Sequence, residues 1–183
     1  MKKSLLAGIL IGIGGLAYLS TGYAILFSVG LLAVIAMGAD LYTGKVCKLE
    51  NYKPALAVTY IGNVIGIAAV ALMSTRADAT ELVAKKLTKA PIEILIDGII
   101  CGICIAIAVN GYVSEIRTIL AVVVFIMTGS EHCIADWYYF IVAREFTVKA
   151  LVFIGIVTVG NTIGGLIVAC LEKQKYQEIS ISF

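Results

Sequence analysis

The sequence predicts an all-α membrane protein of six transmembrane helices in two inverted three-helix repeats, with broken second and fifth helices. Three observations lead there. Of 183 residues, 61% are hydrophobic and 14% charged, which excludes a soluble globular class. Six apolar runs, roughly 4–20, 23–41, 54–73, 91–110, 118–143 and 148–171, consume most of the chain. A helix needs about 20 such residues to cross a hydrocarbon core about 30 Å thick. Finally, three motifs of the first half return in the same order in the second. The connections leave no room for a separate soluble domain, so residues 1–183 read as one membrane domain, with repeats at about 1–75 and 91–172.

The first run follows Lys2 and Lys3 and could be read as a signal peptide. Gly8, Gly12 and Gly15 recur at helix-packing spacing and no clear small-residue cleavage site follows, which favours a retained span. The second run is apolar to Met37 and then breaks into Gly38-Ala-Asp-Leu-Tyr-Thr-Gly44. The third and fourth begin at Pro54 and Pro91. Cys101 and Cys104, in the fourth, form a C-x-x-C. On a helix this is an i, i+3 pair of small residues, and without further ligands nearby it favours packing over redox or metal chemistry. The fifth run breaks into Thr128-Gly-Ser-Glu-His-Cys-Ile-Ala-Asp136 before resuming as Trp-Tyr-Tyr-Phe-Ile-Val. Glycine and capping residues at this depth point to discontinuous helices, tolerated only where protein buries them or they line a cavity. Their half-helix N-termini offer partial positive charge to an anion.

Gly8-Ile-Leu-Ile-Gly12 matches Gly98-Ile-Ile-Cys-Gly102 at an offset of 90, Gly38-Ala-Asp40 matches Gly129-Ser-Glu131 at 91, and Gly62-Asn63-Val-Ile-Gly66 matches Gly160-Asn161-Thr-Ile-Gly164 at 98. The last match is the firmest; the first is the weakest, because G-x-x-x-G also arises from close helix contact alone. Three spans per half is an odd number, so the second half enters the membrane upside down. Lys2, Lys3, Lys45, Lys48, Lys53, Arg117, Lys173 and Lys175 then share a side with the termini. Arg76, Lys85, Lys86, Lys89, Arg144 and Lys149 lie opposite, and the small excess favours cytoplasmic termini. The basic loop before the fourth run either attracts anions or is simply solvated; charge alone does not separate the two.

His132 is the one histidine and falls near the middle of the fifth run. Ionisable groups at that depth usually mark a pathway or relay; the alternative is a packed imidazole satisfied by a hydroxyl or carbonyl. Glu131, Asp136 and Asp40 read first as structural caps that tie the broken helices to neighbouring backbone. Asn63 and Asn161, at equivalent points of the repeat, read as amides bonding freed backbone groups, with Asn161 additionally a candidate to face a pore beside His132.

At Gly38-Ala-Asp-Leu-Tyr-Thr43, Gly129-Ser-Glu-His-Cys-Ile-Ala-Asp-Trp-Tyr-Tyr139 and Gly160-Asn-Thr-Ile-Gly-Gly165 the chain resembles the formate/nitrite transporter family of pentameric anion channels. The similarity extends over all six runs. It implies an aquaporin-like fold, a pore in each protomer of a homopentamer, and no enzymatic activity, cofactor or metal. It also implies that His132 is the central pore histidine, that Thr43 and Asn161 are its polar neighbours, and that Lys86 is the lysine of the outer vestibule. Phe27, Leu31, Leu41, Tyr42, Ile105 and Phe125 fall where the family places apolar constrictions; on the plainer reading they are ordinary core or lipid-facing side chains. Departures are a short chain with clipped loops, Asp97 where a basic residue is commoner, and Tyr42 in place of phenylalanine.

The function expected is passage of a small monovalent anion or its conjugate weak acid, with formate, nitrite or hydrosulfide favoured over acetate and lactate by narrow constrictions. The partners are the anion, protons and the lipid bilayer, with no nucleic acid. A bare ion at the bilayer centre faces a penalty of roughly 3 kcal/mol or more. A proton gained in the vestibule or from His132 would remove it, and an imidazole, with an ordinary pKa of about 6.5, suits that exchange. An aquaporin-like neutral-solute channel is the alternative, disfavoured because paired Asn-Pro-Ala motifs are absent. A metal-binding membrane enzyme is disfavoured because one histidine with Glu131, Cys133 and Asp136 makes too sparse a ligand set.

Overall fold

The computed structural model of the chain describes residues 1–48, 52, 55–110 and 114–181, with side chains as far as 172. Lys53, Pro54 and the side chains of Lys173 and Lys175 lie outside the described residues. The described elements are all helical: α1 (Lys2–Thr21), α2 (Ala24–Ala36), α3 (Tyr42–Val46), α4 (Leu56–Met73), α5 (Thr80–Lys86), α6 (Pro91–Val109), α7 (Glu115–Met127), α8 (Cys133–Val142) and α9 (Val148–Ile181). Among the described residues, four helices are long and apolar enough to cross a bilayer: α1, α4, α6 and the Val148–Glu172 part of α9. At 1.5 Å per residue the 13-residue helices α2 and α7 reach only about 20 Å each.

The burial pattern departs from that of a protein built for water. Ile25, Val29, Ile61, Ile65, Leu120, Val124, Leu151 and Val159 are exposed, whereas Glu131, His132, Asp136, Asn63 and Asn161 are buried within a largely apolar core. An outer surface of branched aliphatics, with polar groups withdrawn inside, suits hydrocarbon as solvent.

Local chemistry explains the element ends. α2 and α7 stop in the same way. Gly38 and Gly129 adopt φ of 58° and 71°. The Gly38 and Ala39 N–H groups donate back to the Ile35 and Val34 carbonyls, and those of Gly129 and Ser130 to Ile126 and Phe125. This double turn satisfies helix-end carbonyls and calls for a left-handed residue, hence glycine. Pro91 opens α6 at a position that needs no N–H donor, and Glu93 accepts from the Ala90 N–H at 2.7 Å.

α1 packs on α4 and α6 on α9, the two largest interfaces, while α2 and α7 meet each other. A Cβ on Gly8 would strike the Asn63 carbonyl, and one on Gly102 the Asn161 carbonyl. Likewise Gly66 lies on the Leu5 carbonyl and Gly164 on the Ile99 carbonyl. By these contacts the counterpart of Gly8 is Gly102, at an offset of 94, rather than Gly98 at 90. The sequence match had slipped by one helical turn, because a glycine repeated every four residues aligns almost equally well after a shift of four.

Candidate functional site

Two asparagines hold the ends of the short helices. Asn63 Oδ1 accepts from the Tyr42 N–H at 2.8 Å, and its Nδ2 donates to the carbonyls of Ser4 (2.7 Å) and Asp40 (2.9 Å). Asn161 Oδ1 accepts from the Cys133 N–H at 2.9 Å, and its Nδ2 donates to Gly98 and Glu131, both at 2.8 Å. Both amide hydrogens of each residue are therefore used. Asn161 anchors the start of α8 to α6 and has no N–H left for a solute beside His132.

His132 is the N-cap of α8. Its Nδ1 accepts from the Ala135 N–H at 3.1 Å, so the neutral ring carries its hydrogen on Nε2. Nε2 lies 3.0 Å from Thr43 Oγ1 on α3 and donates to it. The Thr43 hydroxyl hydrogen is thereby free to point elsewhere. This bond joins the first short helix to the second at the centre of the molecule. Phe125 stacks near His132, with ring centres 6.0 Å apart and planes at 27°, and Phe27 meets Phe125 edge-on at 5.9 Å.

A cavity of about 280 Å³ reaches His132 and Phe125, with Lys85, Lys86, Lys89, Glu131, Asp136 and Tyr139 also on its wall. A second, of about 210 Å³, is lined by Leu31, Leu41, Gly38, Gly44, Lys45 and Lys48, among others. The two share no lining residue, and Phe27, buried against Phe125, lines neither. Of the residues expected at constrictions, Phe125 lines the first cavity and Leu31 and Leu41 the second. Tyr42 does not line either cavity: its hydroxyl pairs with Thr162 Oγ1 at 2.9 Å and its ring packs edge-on against Tyr60 at 5.0 Å. Ile105 is buried in α6 and also lines neither cavity.

Lys86 occupies the first cavity, but not as a free charge. Its ammonium contacts Glu131 Oε2 and lies 3.0 Å from Asp136 Oδ1. Lys89 bridges Glu131 Oε1 and Asp97 Oδ2, both at 2.6 Å, and donates to the Gly129 carbonyl at 2.8 Å. Burial works against the Lys86 ammonium, but Asp136 and Glu131 outweigh it and hold its pKa well above the usual lysine range. For Lys89 burial is likewise overcome, by its bonds to Asp97 and Glu131, and its pKa is raised. Glu131 and Asp136 had been expected to cap neighbouring backbone; their side chains instead belong to this ion network. The role of Lys89 was not anticipated either. Its signal was available: Lys85, Lys86 and Lys89 fall within one turn, and His132, Asp136 and Tyr139 share one face of α8. Among the described residues no group of three or more His, Cys, Asp or Glu is placed to hold a metal ion.

No curated protein matches the chain. Two solved structures share its fold. One, described as an FNT family ion channel, superposes with a TM-score of 0.79 at 22% identity, covering 96% of this chain and 88% of that one. The other, a pentameric formate channel with formate bound, gives 0.73 at 21% identity, with 98% and 97% covered. The formate/nitrite transporter family model matches residues 1–172. With nearly its whole length matched by a family of transporters rather than enzymes, and with its helices in the same arrangement, this chain belongs to the formate/nitrite transporter family.

Proposed function

We propose that the protein passes a small monovalent anion, or its conjugate weak acid, across the cell membrane, with formate, nitrite or hydrosulfide as the substrate. The observation that carries this reading is the buried His132–Thr43 pair beside Phe125, which we read as part of an apolar barrier between two cavities that share no lining residue. A bare anion is disfavoured in such a barrier, and a neutral acid is not. With His132 Nε2–H donating to Thr43, the freed Thr43 hydroxyl hydrogen is the donor a passing solute would meet. Phe27, Phe125, Leu31 and Leu41 form the constrictions. Lys86 and Asn161 act indirectly, by shaping the wall and by anchoring α8, while Tyr42 and Ile105 support from behind.

The same reading joins α2 to α3 and α7 to α8 as two broken spans, completing six in two inverted repeats of aquaporin-like form, with the termini cytoplasmic. The protomer assembles as a homopentamer, like the pentameric formate channel whose fold it shares. Proton movement accompanies the anion. Because Nδ1 of His132 is occupied as the α8 cap, an added proton there would remove that cap. This favours the ring as a polar donor over the ring as a proton carrier.

The test is a flux panel in proteoliposomes over formate, nitrite, hydrosulfide and lactate at two pH values. The proposal expects the three smaller solutes to enter faster than lactate, and faster under acid conditions. Osmotic swelling with no flux of any of these weak acids would overturn it in favour of a neutral-solute channel.

A further inference from the structure

We propose that Asp136 is held as a neutral carboxylic acid and exchanges that proton with an anion in the first cavity, an inference that rests on the weak-acid reading above. The charge count comes first. Lys86 contacts Glu131 and Asp136; Lys89 contacts Glu131 and Asp97. Two ammoniums therefore face three carboxylates in direct contact. One negative charge is unmatched, and a buried unmatched charge is relieved most cheaply by taking up a proton.

Geometry says where that proton sits. Each oxygen of Glu131 meets its own ammonium. The Asp97 side chain is 22% exposed, so water can stabilise its charge. Asp136 is 1% exposed, and neither of its oxygens has a hydrogen-bond partner among the described residues. Its Oδ1 still faces the Lys86 ammonium at 3.0 Å, which leaves Oδ2 to carry the proton, on a residue that lines the cavity.

The other groups facing Asp136 do not supply the missing positive charge. They are His132, Cys133 and Tyr139 on its own helix, Cys101 on α6, and Tyr18 of α1 on the cavity wall beside Tyr139. Lys85 is exposed on the same wall and makes no ion pair among the described residues. It adds positive potential for an arriving anion without neutralising the cluster.

The step is a simple transfer. The O–H bond of Asp136 breaks and a new bond to hydrogen forms on the anion, through oxygen for formate or nitrite and through sulfur for hydrosulfide. The negative charge moves to Asp136, where Lys86 holds it. A hydronium ion from the outer solution then returns a proton to Oδ2 and leaves as water. The neutral acid lies one turn of α8 from His132, at the start of the barrier.

Infrared difference spectra of the full-length protein in liposomes, titrated from acid to alkaline, test the protonation directly. The wild type should show the carbonyl band of a buried carboxylic acid, shifted in deuterated water and bleached at high pH. Asp136→Asn, which mimics the neutral acid, should lack it, and Asp78→Asn, a change in a distant exposed loop, should keep it. Asp97→Asn balances the charge count and should also abolish the band near neutral pH, a result that needs no change at Asp136 itself. Formate uptake by Asp136→Asn should fall roughly tenfold or more, as for loss of a positioned acid, and lose its acid stimulation. No such band in the wild type, an unchanged band in Asp136→Asn, or wild-type uptake and pH dependence in that variant would each overturn the inference. A wild type that carries no weak acid would instead sink the function, while the infrared result still decides whether Asp136 holds a proton.

Discussion

The two places where a short helix begins, at Leu41 and at His132, are built on one plan and finished differently. In each an asparagine from the helix behind accepts the first N–H and donates to two carbonyls, and a left-handed glycine ends the preceding helix. At the offset of 91, Leu41 answers His132, Asp40 answers Glu131, and Lys45 answers Asp136. The first site is electrically complete, since Asp40 and Lys45 pair at 2.9 Å near the surface. The second puts two carboxylates in those positions and must borrow Lys86 from α5. The anchoring plan occurs at both places; among the described residues the buried ion cluster occurs only at the second.

The sharpest way to break this comparison is to remove the lysine from each site. Lys86→Met leaves Glu131 with Lys89 alone and Asp136 with no ammonium beside it, and should cost about 3 kcal/mol. Lys45→Met, at a partly exposed pair, should cost about 1 kcal/mol or less. Thermal melting in detergent measures both, and equal losses would deny the asymmetry. The asparagines should behave alike instead. Asn63→Ala and Asn161→Ala each free three buried backbone groups, at about 3 kcal/mol each, and a large difference between them would deny the common plan. Converting the second site toward the first with His132→Leu removes a helix cap worth about 1 kcal/mol and should cut formate flux far more than it lowers the melting point. The smallest effect is expected from Tyr42→Phe, which loses one hydroxyl contact worth about 0.5–1 kcal/mol and should leave selectivity among the small anions unaltered. Alkaline titration adds a check. The raised pKa values of Lys86 and Lys89 in the folded protein make their stabilisation complete below about pH 10, the unfolded lysine value. It is lost as pH climbs through the folded values, so melting should fall only on the strongly alkaline side.

The asparagine anchors could be read from the sequence, because a polar amide inside an apolar run has few places to go, and Gly38 and Gly129 end α2 and α7 where the apolar runs stop. His132 and Thr43 were placed together by family resemblance, and they meet at 3.0 Å. The partners of Lys86 were not legible: an ion pair between a connecting helix and α8 depends on how the chain returns, not on spacing. The side taken by Tyr42 was hidden for a similar reason, since one residue at the start of a five-residue helix carries no periodicity. The glycine register slipped because the motif repeats once per turn.

The asparagine anchors also limit how the barrier can open. With both amide hydrogens of each committed, neither α3 nor α8 can ratchet lengthwise without stranding several polar groups in an apolar interior. With Phe27, Leu31, Leu41 and Phe125 as the proposed constrictions, opening would fall to their rotamers, motions of nanoseconds to microseconds rather than the milliseconds of a moving domain. Conduction through such a fixed frame would flicker with side-chain fluctuations, and temperature would set its pace more than voltage would.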